Sequence, residues 1–276
     1  ACGPQRWHGG GIMSAPRDTW KKPPFIANTA LRWAVYIGAI VYFGWVGLTM
    51  PIDWNRVAEG IGRAGKIFGG AFPPSFERSG LLIDGFMESL KIAILATAGG
   101  VLLSIPIAFM SASNIAPKPI FYLGRAIIII ARSFHPVIVA ILFVKAVGFG
   151  PFAGVLTLIV YSIGFVAKML AERIEEIDFG QVEAMRAAGA PYLSTLAYAI
   201  FPQIMPRQIG LTIYQLDSNL RASAVVGIVG AGGIGATLAN AFGRYDYDFA
   251  LAITMVIVGV ILLSEAVSGV IRKRIQ

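Results

Sequence analysis

Four ionisable residues lie inside otherwise apolar stretches of this 276-residue chain. Arg132 and His135 fall in RAIIIIARSFHPVIVAILFVKAVG, and Asp217 and Arg221 in LTIYQLDSNLRASAVV. Residues three or four apart share a helix face, so each pair presents its polar groups together. Charge in hydrocarbon costs about 2.5–3.5 kcal/mol per residue on insertion scales, so such groups face a bundle interior or a watery cavity. Two readings fit. In one, Arg132 and Arg221 supply positive potential along a path for an anion, because a guanidinium grips an oxyanion through two parallel N–H donors. In the other, Asp217 and Arg221 simply neutralise each other. Ser133, Gln215, Ser218, Asn219 and Ser223 add hydrogen bonds without fixed charge, which suits cargo held weakly in transit. His135 stands directly before Pro136 and reads as a satisfied kink residue rather than a proton relay.

Other chemistry finds little support. There is no G-x-x-x-x-G-K-[ST], H-E-x-x-H or G-x-S-x-G, and no cluster of metal-ligand type. The chain is therefore read as no enzyme, with no cofactor or metal of its own. Gly230-Ala231-Gly232-Gly233-Ile234-Gly235 matches G-x-G-x-x-G, but an apolar span precedes it where a dinucleotide fold needs a strand. Gly227, Gly230, Gly232, Gly233 and Gly235 read either as a non-helical or re-entrant turn or as tight helix packing. Cys2 is the single cysteine, so no disulfide can form within the chain.

The elements around these residues are set by bulk chemistry. Hydrophobic residues make up 56% and charged ones only 14%, well below the roughly 25% of soluble domains. A membrane-embedded all-α protein follows. The net charge of +8 is spread over segments flanking the apolar runs, such as Arg17, Lys21 and Lys22 at one end and Arg272, Lys273 and Arg274 at the other. Retention of positive charge in the cytoplasm explains that pattern better than nucleic-acid binding.

Spans of roughly 20 apolar residues are expected at 31–50, 84–111, 124–147, 151–170, 203–229 and 248–270. Pro106 should kink the second, where Ala96, Ala98, Gly99 and Gly100 permit close helix approach. VAEGIGRAGKIFGGAF, ending before Pro73-Pro74, reads as an amphipathic interfacial helix. Six spans place both termini on one side, and the charge bias makes that side cytoplasmic; Arg56, Arg63, Lys66 and Arg78 depart from the bias. Residues 1–12 precede Met13 and are read as an appended sequence or alternative start, within an N-terminal tail of residues 1–30.

Between the fourth and fifth spans, EAMRAAGAPYLSTLAYAIFPQIMP carries Glu183-Ala184-Met185, then Gly189 after three residues and Pro202 after twelve more. This resembles the cytoplasmic E-A-A-x3-G-x9-I-x-L-P loop of ABC-importer permeases, with Ala199 and Phe201 departing from the pattern. Glu183, Ala187 and Ala188 lie a turn apart on a first helix that Gly189 breaks; a second amphipathic helix with Leu193, Leu196, Tyr198 and Ile200 follows. LRASAVVGIVGAGGIGATL (220–238), ARSFHPVIVAILF and MLAERIEEID are similar to segments of phosphonate permeases, and more distantly to methionine and glycine-betaine permeases.

The resemblance covers about 85–274. It implies a type I permease fold over 31–276 and a cytoplasmic coupling loop over 172–202, with Glu183, Ala184, Ala187, Gly189 and Pro202 meeting an ATPase. It also implies a homodimer in the cell inner membrane, two ATP-binding-cassette subunits that carry ATP and Mg, and an extracytoplasmic substrate-binding protein. The expected function is import of phosphonate or a related small oxyanion. Permeases for methionine, glycine betaine, phosphate or phosphite are the alternatives, with a passive channel or membrane-embedded enzyme outside the class.

Overall fold

The computed structural model describes residues 28–50 and 53–275; the expected tail therefore lies almost wholly outside the described residues. The chain divides into two units, 1–61 and 62–276. In the first, α1 (Thr29–Thr49) is long and apolar enough to span a bilayer, and Asn28 caps it by accepting the Ala30 N–H at 3.0 Å. Helix α2 (Trp54–Ala71) follows where the amphipathic segment was expected. Its spacing sets Trp54, Val57, Ile61 and Phe68 on one face, and Asn55, Glu59, Arg63 and Lys66 on the other.

In the second unit, α3 (Ser79–Met110), α6 (Pro151–Glu175) and α11 (Tyr247–Ile275) are further helices with span-like length and composition. Two more spans are broken. Helices α4 (Lys118–Ser133) and α5 (Pro136–Val147) meet at 91°, and the run Tyr192–Ala231 meets α10 (Gly233–Gly243) at 53°. Counting each bent pair once gives six spans, and every described element is helical.

The core of this unit is made by small residues that let backbones approach. Ala93 and Ala96 of α3 are fully buried, and a Cβ at Gly100 would collide with Ser162 of α6. The corner between α3 and α4 is tied to the end of α6 by polar contacts. Arg125 pairs with Glu175 at 2.9 Å and donates to the Ser111 carbonyl, while the Ser113 N–H also donates to Glu175. The Asn114 amide donates to the Ile174 carbonyl at 2.7 Å. These bonds hold two helix ends together beside the apolar cluster of Ala108, Ala112, Ile128 and Ile174.

Two elements differ from the sequence expectation. The third span was expected as one kinked helix over 124–147; it starts at Lys118 and breaks into two. Pro136 lacks an N–H and pushes His135 out of the helical region, to φ −69° and ψ 140°. The second amphipathic helix was expected to stand apart from the fifth span. Instead α8 (Tyr192–Thr195) runs through a π turn at Leu196–Ile200 into α9 (Phe201–Val226) as one rod. The π turn is closed by Phe201 N–H donating to the Leu196 carbonyl, and Pro202 follows in the first turn of α9. Widening the turn there relieves the clash of a proline ring with the preceding turn.

Candidate translocation site and connector

The break between α4 and α5 opens two adjoining grooves. One, of about 430 Å³, is lined by Arg132, Phe134, His135, Tyr161 and Phe165; the other, of about 460 Å³, by His135, Tyr161, Tyr214, Ser218 and Arg221. His135, Pro136 and Tyr161 belong to both, so the two arginines, one in each groove, share one continuous lining. No carboxylate lines either groove. The lining keeps a net positive charge, carried chiefly by Arg132, because Asp217 behind it offsets Arg221.

Each arginine is placed by local structure. Arg132 ends α4, where the helix dipole favours a cation, and its methylene stem packs against Gly164 of α6. Arg221 reaches Asp217 at 3.1 Å one turn earlier on α9. The Asp217 side chain is 11% exposed and that of Arg221 51%. The carboxylate is thus held inside, where the Ser264 hydroxyl of α11 also donates to it, while the guanidinium projects into the groove. The pairing expected from the sequence is present, and Asp217 orients Arg221 without filling the groove.

His135 is exposed, and its Nδ1 accepts the Val137 N–H at 3.3 Å, capping α5. Ser133 is exposed and returns its hydroxyl to the Ile129 carbonyl at 2.7 Å. Asn219 and Ser223 lie elsewhere. Asn219 is fully buried between α3, α6 and α9, donating to Thr97 and Ser162 at 2.9 Å and accepting from Gln215 at 2.9 Å. Ser223 is buried and donates to the Leu220 carbonyl. These two polar groups face the interior of the subunit, away from the grooves. Tyr161, Phe165 and Tyr214, which the sequence reading passed over, line the grooves instead.

The Gly-rich segment satisfies both of its sequence readings. At Gly230 (φ +96°) and Gly232 (φ +79°) the backbone takes conformations that side chains resist, making the turn into α10. At Gly227 and Gly235 the constraint is contact: a Cβ at Gly235 would strike the Ala224 carbonyl, and one at Gly227 the Gly232 carbonyl. Ser89 of α3 accepts the Ile234 N–H at 2.9 Å and so caps α10, and Gly150 N–H donates to the Gly230 carbonyl.

The connector after α6 is anchored by one face. Helix α7 (Phe179–Ala187) is capped by Asp178 and buries Val182 against Ile174, Ala199 and Ile204, with Phe179 and Met185 beside it. Glu183, Ala184, Ala187 and Gly189 are left exposed on its outer side, and Gly189 turns the chain at φ +76°. Pro202 is exposed at the base of α9. Gln203, which had no signal in the sequence, clamps the assembly: its amide accepts the Asp178 N–H at 2.9 Å and donates to the Ala199 carbonyl at 2.7 Å.

A bundle of broken spans with an outward-facing helical connector is the architecture of a transporter's membrane component. Residues 104–276 match the family described as binding-protein-dependent transport system inner membrane component, and the chain belongs to that family. It is similar to the phosphite transport system permease protein PtxC of Stutzerimonas stutzeri, 38% identical over 245 residues, with 88% of each chain covered. It is also 41% identical over 211 residues to the phosphate-import permease protein PhnE of Mycolicibacterium smegmatis, spanning 76% of this chain but only 40% of that relative. Among solved structures, the MetNI methionine ABC transporter in inward-facing conformations superposes with a TM-score of 0.64 at 22% identity, over 73% of this chain and 99% of that one. The fold is therefore that of a type I importer permease, and the protein is a multi-pass membrane transport component.

Proposed function

We propose that this chain is the permease subunit of an ATP-driven importer that passes phosphonate, or a related phosphorus oxyanion, across the inner membrane. The observation that carries the cargo is the pair Arg132 and Arg221 on one groove lining free of carboxylates. Phosphite and phosphate, named for the two relatives, are tetrahedral oxyanions like phosphonate, and a guanidinium fork matches that shape.

In this reading two copies of the chain face one another across the grooves. Two ATP-binding-cassette subunits dock on Glu183, Ala184, Ala187 and Gly189, and Pro202 sits at the base of the coupling loop. Both termini are cytoplasmic, and a binding protein delivers cargo from the other side. The buried faces of α7 and the Gln203 clamp support coupling, because a rigidly anchored helix passes on motion that a loose one absorbs.

A growth and uptake assay tests the cargo class. Cells that depend on this importer should take up methylphosphonate or phosphite as their phosphorus source, and neither methionine nor glycine betaine should compete. Uptake of methionine or glycine betaine without uptake of either oxyanion contradicts the reading.

A further inference from the structure

Helices α6 and α9 run antiparallel, and matched positions meet along one face. Tyr161 lies opposite Ser218, with 3.4 Å between their hydroxyl oxygens, and one turn on, the rings of Phe165 and Tyr214 pack at 5.3 Å between centroids and 33° between planes. Two turns further, the same faces open into a third groove of about 570 Å³, lined by Glu172, Arg173, Glu176, Gln203 and Arg207. On α9, Arg207, Tyr214 and Arg221 are seven residues apart in turn, so they stack on one face at intervals of about 10 Å. The aromatic pair thus closes the end of the first two linings that faces the third groove.

Those linings differ in charge. Beyond the rings from the connector, Arg132, His135 and Arg221 line the grooves with no carboxylate. On the connector side, Arg173 and Arg207 share the groove with Glu172 and Glu176. With Asp217 counted against Arg221, the positive charge of Arg132 is left beyond the rings, whereas the connector side is balanced, so an anion is drawn more strongly to the first.

We infer that Phe165 and Tyr214 form the barrier of the pathway, dividing it into a compartment that holds the oxyanion and one that releases it. This rests on the permease reading above, in which a second copy closes the track into a channel. Where two copies bring these aromatic faces together, the rings exclude water, and a hydrated anion cannot pass until they part. Release toward the connector then needs no tight second site: once past the rings, the anion faces Glu172 and Glu176 as well as the arginines.

The test is passive leak from proteoliposomes holding the whole importer complex, loaded with methylphosphonate and mannitol, without ATP. The Phe165→Ala/Tyr214→Ala double variant should release methylphosphonate on the order of tenfold faster than the parent, as expected when about 1.4 kcal/mol of barrier is lost. A size series at one site, Tyr214→Phe, Tyr214→Leu and Tyr214→Ala, should leak in increasing order, and decides the matter if the double variant fails to assemble. Assembled variants that stay tight to both solutes overturn the barrier. A leak of mannitol as fast as that of methylphosphonate keeps the barrier and overturns the anion reading instead.

Discussion

Asp217 holds Arg221 at 3.1 Å from inside the helix bundle, and accepts the Ser264 hydroxyl at the same time. The pair joins α9 to α11 and aims a guanidinium into the groove. Removing Asp217 is therefore a different lesion from removing Arg221. Asp217→Asn keeps the shape and the Ser264 contact but frees Arg221, so transport should fall while folding holds. Arg221→Lys keeps charge and loses the fork, and should transport less than the parent but more than Arg221→Ala. Rates from inverted or right-side-out vesicles at matched protein levels check this order; Lys and Ala variants both as active as the parent would show that charge and fork are both idle.

Asn219 behaves as a fastener. Its amide bonds Thr97, Ser162 and Gln215, and no water reaches its fully buried side chain. Replacement by Ala or Leu leaves three buried polar partners under-satisfied. Thermal unfolding in detergent should show a loss of about 1–3 kcal/mol. If Asn219→Ala keeps its stability and loses only transport, Asn219 belongs to the pathway after all.

The connector makes a separable prediction. Gly189 is exposed and turns at φ +76°, with nothing within 4 Å of an added Cβ. Gly189→Trp strains this turn by about 1–2 kcal/mol, as any side chain does at positive φ, but meets no neighbour, so the chain should insert and fold yet lose the ATPase on co-purification. Glu183→Lys should weaken the same association. An ATPase that stays bound to both variants and still drives uptake would remove the coupling assignment from α7.

Val182 tests whether α7 must be rigid. It is buried against Ile174, Ala199 and Ile204 at the end of α6 and the base of α9. Val182→Ala removes two buried methyl groups, worth roughly 1–3 kcal/mol, about twice the cost of a one-methyl truncation in a core. The complex should still assemble, with ATP hydrolysis proceeding but less uptake per ATP. An unchanged uptake-to-hydrolysis ratio would show that α7 is not a lever.

Much of this architecture was legible because apolar runs and their lengths report a membrane directly. Arg132, Asp217 and Arg221 stood out because a charge inside such a run is expensive. The same signal misled at Asn219: a polar group in a span tells only that it avoids lipid, and a buried network and a watery path both satisfy that. Pro136 announced a bend, but the 91° angle depends on what α5 packs against. The continuity of Tyr192–Val226 was hidden because Pro202 marks a helix start whether or not a π turn precedes it. Phe165 and Tyr214 gave no sign of each other, since aromatic residues in apolar spans are ordinary and their meeting is set by the pairing of α6 with α9. Gln203 was silent for the same reason.

The most direct test of the oxyanion pathway is ATP-driven uptake of methylphosphonate by the reconstituted complex, with ATP hydrolysis measured in the same vesicles. Arg132→Ala and Arg221→Ala should each reduce uptake strongly, and together abolish it, while the ATPase stays bound and still responds to the loaded binding protein. A double variant that imports methylphosphonate at the parent rate would contradict the account.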